Sequence, residues 1–339
     1  MSSLKNSTVE FFDIPNFTFQ NNTTLDIRLA YREFNRSATK TALIPTCFRG
    51  RINSTFNFSQ GALRDYRVIV VALLGNGESS SPSNTVGFPS TIDYRDCVRA
   101  QQNLLTDGLN IRSLDIVVGF SMGGQCTYYW TALYPQMVKS AAVICSAART
   151  SRHNYQFLEG PRAALENSAD YVPGRNVVGK LETSRGLRAF GKAYSAWLTS
   201  VSWFEDQLYQ ELGYQSLSEW DQAVTDVNYR DWDPEDILVM LRMWQRGDVS
   251  VCDPDCGGSL EIALSKLTVP ILLMPCQTDQ YFHWSASEKE ARLLPRAQCK
   301  IIPSVWGHLA GAGSNRQDNE WIDKQIEEFL RSQNDLCAD

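Results

Sequence analysis

A serine between glycines, a late aspartate and one of only three histidines are the residues of this 339-residue chain best suited to nucleophilic chemistry. Ser121 stands in Gly119-Phe120-Ser121-Met122-Gly123-Gly124. The apolar run LDIVV (114–118) leads into it and a helix-forming run, Met122 to Leu133, follows, so the serine falls on a strand–turn–helix elbow. Such a turn is strained and lifts the hydroxyl above a sheet, and small residues at 119 and 123 let strand and helix approach. The helix N-terminus behind the serine favours developing negative charge. A hydroxyl attacks only if a base takes its proton. His153 opens an aromatic-rich segment and His283 lies four residues after Asp279, whereas His308, in VWGHLAG, sits between the last expected strand and the last expected helix. Asp279, in MPCQTDQ after the strand VPILLMP, is placed to hold the imidazole in one tautomer and to stabilise the imidazolium. The expected catalytic triad is therefore Ser121, Asp279 and His308.

Acyl transfer also needs two donors for the tetrahedral oxygen. The Met122 amide is one. The second is expected from the loop after TALIPT (41–46), Cys47-Phe48-Arg49-Gly50, with the Phe48 amide favoured over that of Cys47. Cys47, Arg49, His153, Tyr155 and Trp203 are candidate substrate contacts.

The elements that would position these residues alternate. NFTF and LDIRLAYREF read as two strands over 15–34; TALIPT, YRVIVVAL (66–73), LDIVV and AAVIC (141–145) read as buried strands. A helix is expected over 92–106, capped by Ser90 with Asp93 three positions on. Apolar strands alternating with helices point to a parallel sheet covered on both faces. The pattern stops near Arg149. From 151 to 259 no strand is expected and aromatics concentrate, with five of the nine tryptophans there (Trp197, Trp203, Trp220, Trp232, Trp244). Strands resume at VPILLMP (269–275) and CKIIP (299–303), and an amphipathic helix closes the chain from Asp318 to Ser332. The expected organisation is a core of 1–150 and 260–339 with a helical cap, 151–259, inserted in it.

The net charge of −6 comes without a basic run, so nothing favours nucleic acid or an anionic membrane. No stretch approaches the roughly 20 apolar residues of a membrane span. The N-terminus lacks a secretory apolar run, and the nine scattered cysteines read as reduced thiols, so a cytoplasmic protein is expected. Cys252 and Cys256 lack two further soft ligands nearby, and no metal is expected. The sequons at Asn6, Asn16, Asn22, Asn35, Asn53 and Asn57 read as polar loop composition. The expected partner is a small-molecule substrate, with a homodimer possible in principle.

Beyond these patterns, IPTCFRG, ALLGNGESSSPSN, VRAQQNLLTDGL, GFSMGGQCTYYWTALYP, SAARTSRHN, TDQYF and WGHLAG together resemble the homoserine O-acetyltransferase-like branch of the α/β-hydrolase superfamily. The resemblance implies an α/β-hydrolase fold: a mostly parallel central sheet of about eight strands with a helical cap, and the same triad. FRG and GESSSPSN stand where homoserine acetyltransferases have Leu-Thr-Gly and Gly-Ser-Thr-Gly-Pro, and Leu309 where they have Asp after the base. These departures touch the homoserine pocket and not the acyl-transfer machinery.

Three functions fit. An esterase or thioesterase would acylate Ser121 and deacylate it with water. An O-acyltransferase would need no bound cofactor but would take acetyl-CoA as co-substrate. A third possibility is carbon–carbon cleavage or cyclisation on the same scaffold. The aromatic cap and the missing motifs favour the hydrolase, acting on a bulky apolar, secondary-metabolite-like ester.

Overall fold

The computed structural model describes residues 8–174 and 184–336. Asn6 and Cys337 therefore lie outside the described residues. Eight strands form one sheet: β1 (Glu10–Thr18), β2 (Thr24–Phe34), β3 (Lys40–Pro45), β4 (Tyr66–Val71), β5 (Ile116–Phe120), β6 (Ala141–Ile144), β7 (Ile271–Met274) and β8 (Ala297–Cys299). Their order is β1-β2-β4-β3-β5-β6-β7-β8, with β1, β2 and β4 antiparallel to their neighbours in turn and every pair from β4–β3 to β7–β8 parallel. The chain belongs to the α/β class, and the sheet is the mostly parallel one that the apolar runs imply.

Side chains alternate between two cores, as a period of two requires. Leu43 and Val117 join the core beneath the helices α1 (Tyr94–Asn103) and α2 (Met122–Leu133). Ala42, Ile44, Ile116 and Val118 join the opposite one, against α10 (Arg316–Leu336). Burial on both faces explains why β3 to β7 read as unbroken apolar runs.

After β4 the chain crosses to the other side of β3 to form β5. The C-terminal ends of β3 and β5 therefore lie side by side where strand order reverses, the place where open α/β sheets hold ligands. The loop Cys47–Gly50 follows one and Ser121 the other.

Between β6 and β7 the described residues contain helices and no strand: α3 (Arg152–Glu166), α4 (Ser184–Ser195), α5 (Val201–Glu205), α6 (Leu217–Thr225), α7 (Pro234–Gln245) and α8 (Leu260–Ser265). A further helix, α9 (Trp284–Leu293), precedes β8, with His283 as its N-cap.

Three local expectations need correction. The first helix starts two residues late: Asp93, not Ser90, is the N-cap, its side chain accepting from Arg95 N while Asp96 returns the bond to Asp93 N. A carboxylate pair outcompetes a lone hydroxyl for these donors. The same helix ends at Asn103 and continues as a π turn over Leu104–Gly108. The strand expected at CKIIP begins earlier, at Ala297, although its pairing runs on, Lys300 N donating to Leu273 O and Ile302 N to Pro275 O.

Asn16, Asn22 and Asn35 all have positive φ (52°, 66° and 49°). Asparagine tolerates this region better than other side chains. Asn22 sits in the β1–β2 turn and Asn35 at the exit of β2. Asn16 instead lies within β1, where the pairing register shifts between Ile14 and Phe17, so it is a strand residue and not loop composition. No described helix is long and apolar enough to cross a membrane.

Candidate active site

Ser121 has φ 56° and ψ −124°, a sparsely populated conformation for a residue with a side chain. The surroundings hold it there. Its N–H donates to Ile144 O at 3.0 Å, and its carbonyl accepts from Gly124 N, Gln125 N and the Ser146 hydroxyl. The close approach that the two glycines permit is specific. A Cβ on Gly119 would come within 2.1 Å of Gly123 O, and one on Gly123 within 2.5 Å of Pro45 O.

His308 Nε2 lies 2.9 Å from Ser121 Oγ, and Nδ1 lies 2.7 Å from Asp279 Oδ2. A carboxylate can only accept, so Nδ1 carries the proton and Nε2 is free to accept from the serine hydroxyl. Asp279 in turn accepts at Oδ1 from the amides of Tyr281 (2.8 Å) and Phe282 (3.2 Å), which fixes the carboxylate plane. The imidazole is boxed by Phe120, Tyr281 and Phe282, with centroids 4.7, 4.8 and 5.8 Å away. Its loop is tied to the segment between α4 and α5: His308 N donates to Leu198 O, and the Ser200 hydroxyl to Val305 O. Gly307, at φ 59°, packs where a Cβ would meet the Thr199 backbone at 2.7 Å.

Met122 is the first residue of α2, so its amide has no acceptor within the helix. The Phe48 amide likewise has no acceptor among the described residues. The loop carrying it is stiff: Gly50 N closes a turn onto Cys47 O, and Asn76 Nδ2 donates to Gly50 O. The Phe48 ring is wedged among Phe190, Tyr194 and Trp244. Burial pushes the Cys47 thiol up to about 12, so it stays protonated at neutral pH and is no rival nucleophile.

A cavity of about 330 Å³ opens over Ser121 and His308. Of the candidate substrate contacts, Cys47 and Arg49 line it, as do Phe48, Tyr214, Trp220 and Asn228. Three candidates do not. His153 is exposed on α3 and leans on Trp197; Tyr155 is exposed on the same helix. Trp203 is fully buried behind the cavity wall, between Trp220 and Trp306. The same helical segment therefore supplies both wall and backing, and a run of aromatics without clear periodicity does not separate them. Phe120 and Leu309 also line the cavity, and their places beside the nucleophile and the base were the available signal. The described cysteines are all free, and no cluster of ligating side chains among the described residues could hold a metal.

These features are those of the α/β-hydrolase fold, whose family model matches residues 43–311, and the chain belongs to that family. It is an enzyme, as its relatives are. It is 32% identical over 88% of its length to an ethyl acetate hydrolase of Pseudomonas veronii, of which 87% is covered. The solved acetyl esterase MekB superposes with a TM-score of 0.87 at 29% identity, over 96% of this chain and 97% of that one. A homoserine O-acetyltransferase of Corynebacterium efficiens is 29% identical over 68% of this chain and 63% of its own length.

Proposed function

We propose that the protein is a carboxylic-ester hydrolase that works through an acyl-enzyme on Ser121. The observation that carries this reading is the continuous, buried relay Asp279–His308–Ser121, with gaps of 2.7 and 2.9 Å. In it, Ser121 Oγ attacks the ester carbonyl as His308 Nε2 takes its proton. Asp279 stabilises the imidazolium without itself taking the proton. The amides of Met122 and Phe48 receive the oxyanion, each worth about 3 kcal/mol of transition-state stabilisation. His308 then protonates the departing alkoxide, and water, activated by the same imidazole, releases the acid.

The small acyl groups in the names of the two esterase relatives support an acetyl or similarly short acyl group here. The cavity volume lies at the low end of the roughly 300–1,000 Å³ usual for ligand pockets. A compact ester therefore fits better than the bulky apolar one that the aromatic count suggested, since many of those rings pack on one another.

The test is partitioning. Supplied with ethyl acetate, the enzyme should release free acetate, and adding homoserine or other alcohols should not divert the acetyl group. A stable O-acetyl product formed from acetyl-CoA and an alcohol faster than free acetate would establish the transferase instead.

A further inference from the structure

We infer that the ester this enzyme hydrolyses carries a free carboxylate, received by Arg49 on the wall of the catalytic cavity. The inference rests on the hydrolase reading above and deepens it by naming the substrate class. Among the described residues lining the cavity, Arg49 is the only Lys, Arg, Asp or Glu. Its guanidinium is held from two sides. Cζ sits 3.7 Å from the centre of the Tyr229 ring, and Nη2 donates to Asn228 O at 3.0 Å. That bond uses one of five donors. Nε is packed out of reach against the Tyr229 ring, so a ligand can meet only the Nη donors, and no carboxylate forms an ion pair with the group among the described residues. A guanidinium on a cavity wall without a carboxylate of the protein beside it is matched by an anion entering the cavity.

The neighbouring Arg51 makes the contrast. It stacks on Trp232 at the same 3.7 Å, but it donates to Asn76 O and feels the negative charges of Glu78, Asp236 and Asp231. One arginine of the loop is neutralised by the protein and the other is not. The unneutralised charge reaches into the site: burial pushes Cys47, Tyr194 and Tyr229 up, and Arg49 pulls each of them back.

A planar guanidinium matches a carboxylate in shape, and one cation balances one carboxylate rather than a dianionic phosphate. The apolar walls of Phe56, Phe58, Leu212 and Val224 strengthen the attraction by excluding water. The carboxylate could belong to the alcohol or to the acyl part of the ester, and matched substrates separate the two.

The experiment compares kcat/KM for O-acetyl-lactate against O-acetyl-lactamide, and for monoethyl succinate against ethyl succinamate. The wild type should prefer the carboxylate member of at least one pair by roughly 10- to 100-fold, mainly through KM, the size expected of a charge-assisted hydrogen bond. The pair that shows the preference identifies the part bearing the charge. In Arg49→Met the ratio should fall towards one, and Arg49→Lys should keep part of it. Each ratio is taken within one enzyme, so incomplete folding of a variant cancels. Raising salt from about 0.05 to 0.5 M should also shrink the wild-type preference. No preference in either wild-type pair, or one that survives in Arg49→Met, overturns the inference and leaves the hydrolase reading standing. If no ester, neutral or anionic, is hydrolysed, the hydrolase reading fails and takes the inference with it.

Discussion

The C-terminal edge of the sheet and the aromatic segment between β6 and β7 differ in how completely their buried polar atoms are paired. At the edge, Ser121, Asp279 and His308 are all buried, and their functional atoms are satisfied by one another or by backbone amides. In the aromatic segment, Trp203 Nε1, Tyr229 Oη, Trp244 Nε1 and Thr199 Oγ1 are buried without partners. The first region is fixed in direction by hydrogen bonds. The second adds to its hydrogen bonds, such as those of Ser200 and Asp236, a large share of ring packing, which fixes volume and leaves direction loosely specified. The triad and the cavity wall therefore rest largely on different forces, and they meet where Leu198 and Ser200 hold the His308 loop and where Phe190, Tyr194 and Trp244 pack around Phe48.

The largest effect that could break this contrast is at the nucleophile. Ser121→Ala should lower kcat/KM by about a million-fold while the melting temperature stays near that of the wild type. A loss of only a few fold in steady-state assays would remove the triad from the chemistry.

Next in size are the two tryptophans. Trp203→Ala should cost about 3–5 kcal/mol in denaturant unfolding, as for a fully buried aromatic, with the ratio of acetyl- to butyryl-ester hydrolysis kept. Trp220→Ala enlarges the cavity and should move that ratio towards butyryl esters. A shifted ratio in the Trp203 variant would place that ring in substrate selection after all.

A smaller, pH-dependent effect comes from carboxylates behind the site. Burial pushes Glu290 from 4.5 to about 7, although Tyr128 Oη and Ala148 N donate to it, and pushes Asp236 from 3.8 to about 7. Between the unfolded and folded values the native state binds more protons than the unfolded one, so its stability is full below about 4 and falls as pH rises towards 7. The melting temperature should decline over that range, and Glu290→Gln should flatten the decline. A wild-type melting temperature that rises from about pH 5 to 7 would contradict this. Smallest of all, His153→Ala should change kcat/KM less than twofold, as the exposed ring on α3 lies off the cavity.

How much of this was legible in the residues follows the same division. β3 to β7 are apolar on both faces, and the elbow at Ser121 joins a strand to a helix through glycines, so both stand out along the chain. With three histidines to choose from, chain position alone singled out His308, and its ring is the one that meets Ser121 and Asp279. The helical segment was less readable. Trp203 and Trp220 pack 5.3 Å apart, yet only Trp220 lines the cavity. Which ring faces inward depends on how short helices dock, and that is set by contacts distant in sequence. The caps failed for a local reason: Ser90 and Asp93 both suit an N-terminus, and only the reciprocal bond with Asp96 decides between them.

The most direct test of the central claim is to trap the acyl-enzyme. Acid quenching during turnover of an acetyl ester, followed by intact-mass measurement and peptide mapping, should find one acetyl group per chain, on the peptide containing Ser121, and none in Ser121→Ala. Acetylation confined to another residue such as Cys47, or an acetyl group that persists in Ser121→Ala, would contradict the account.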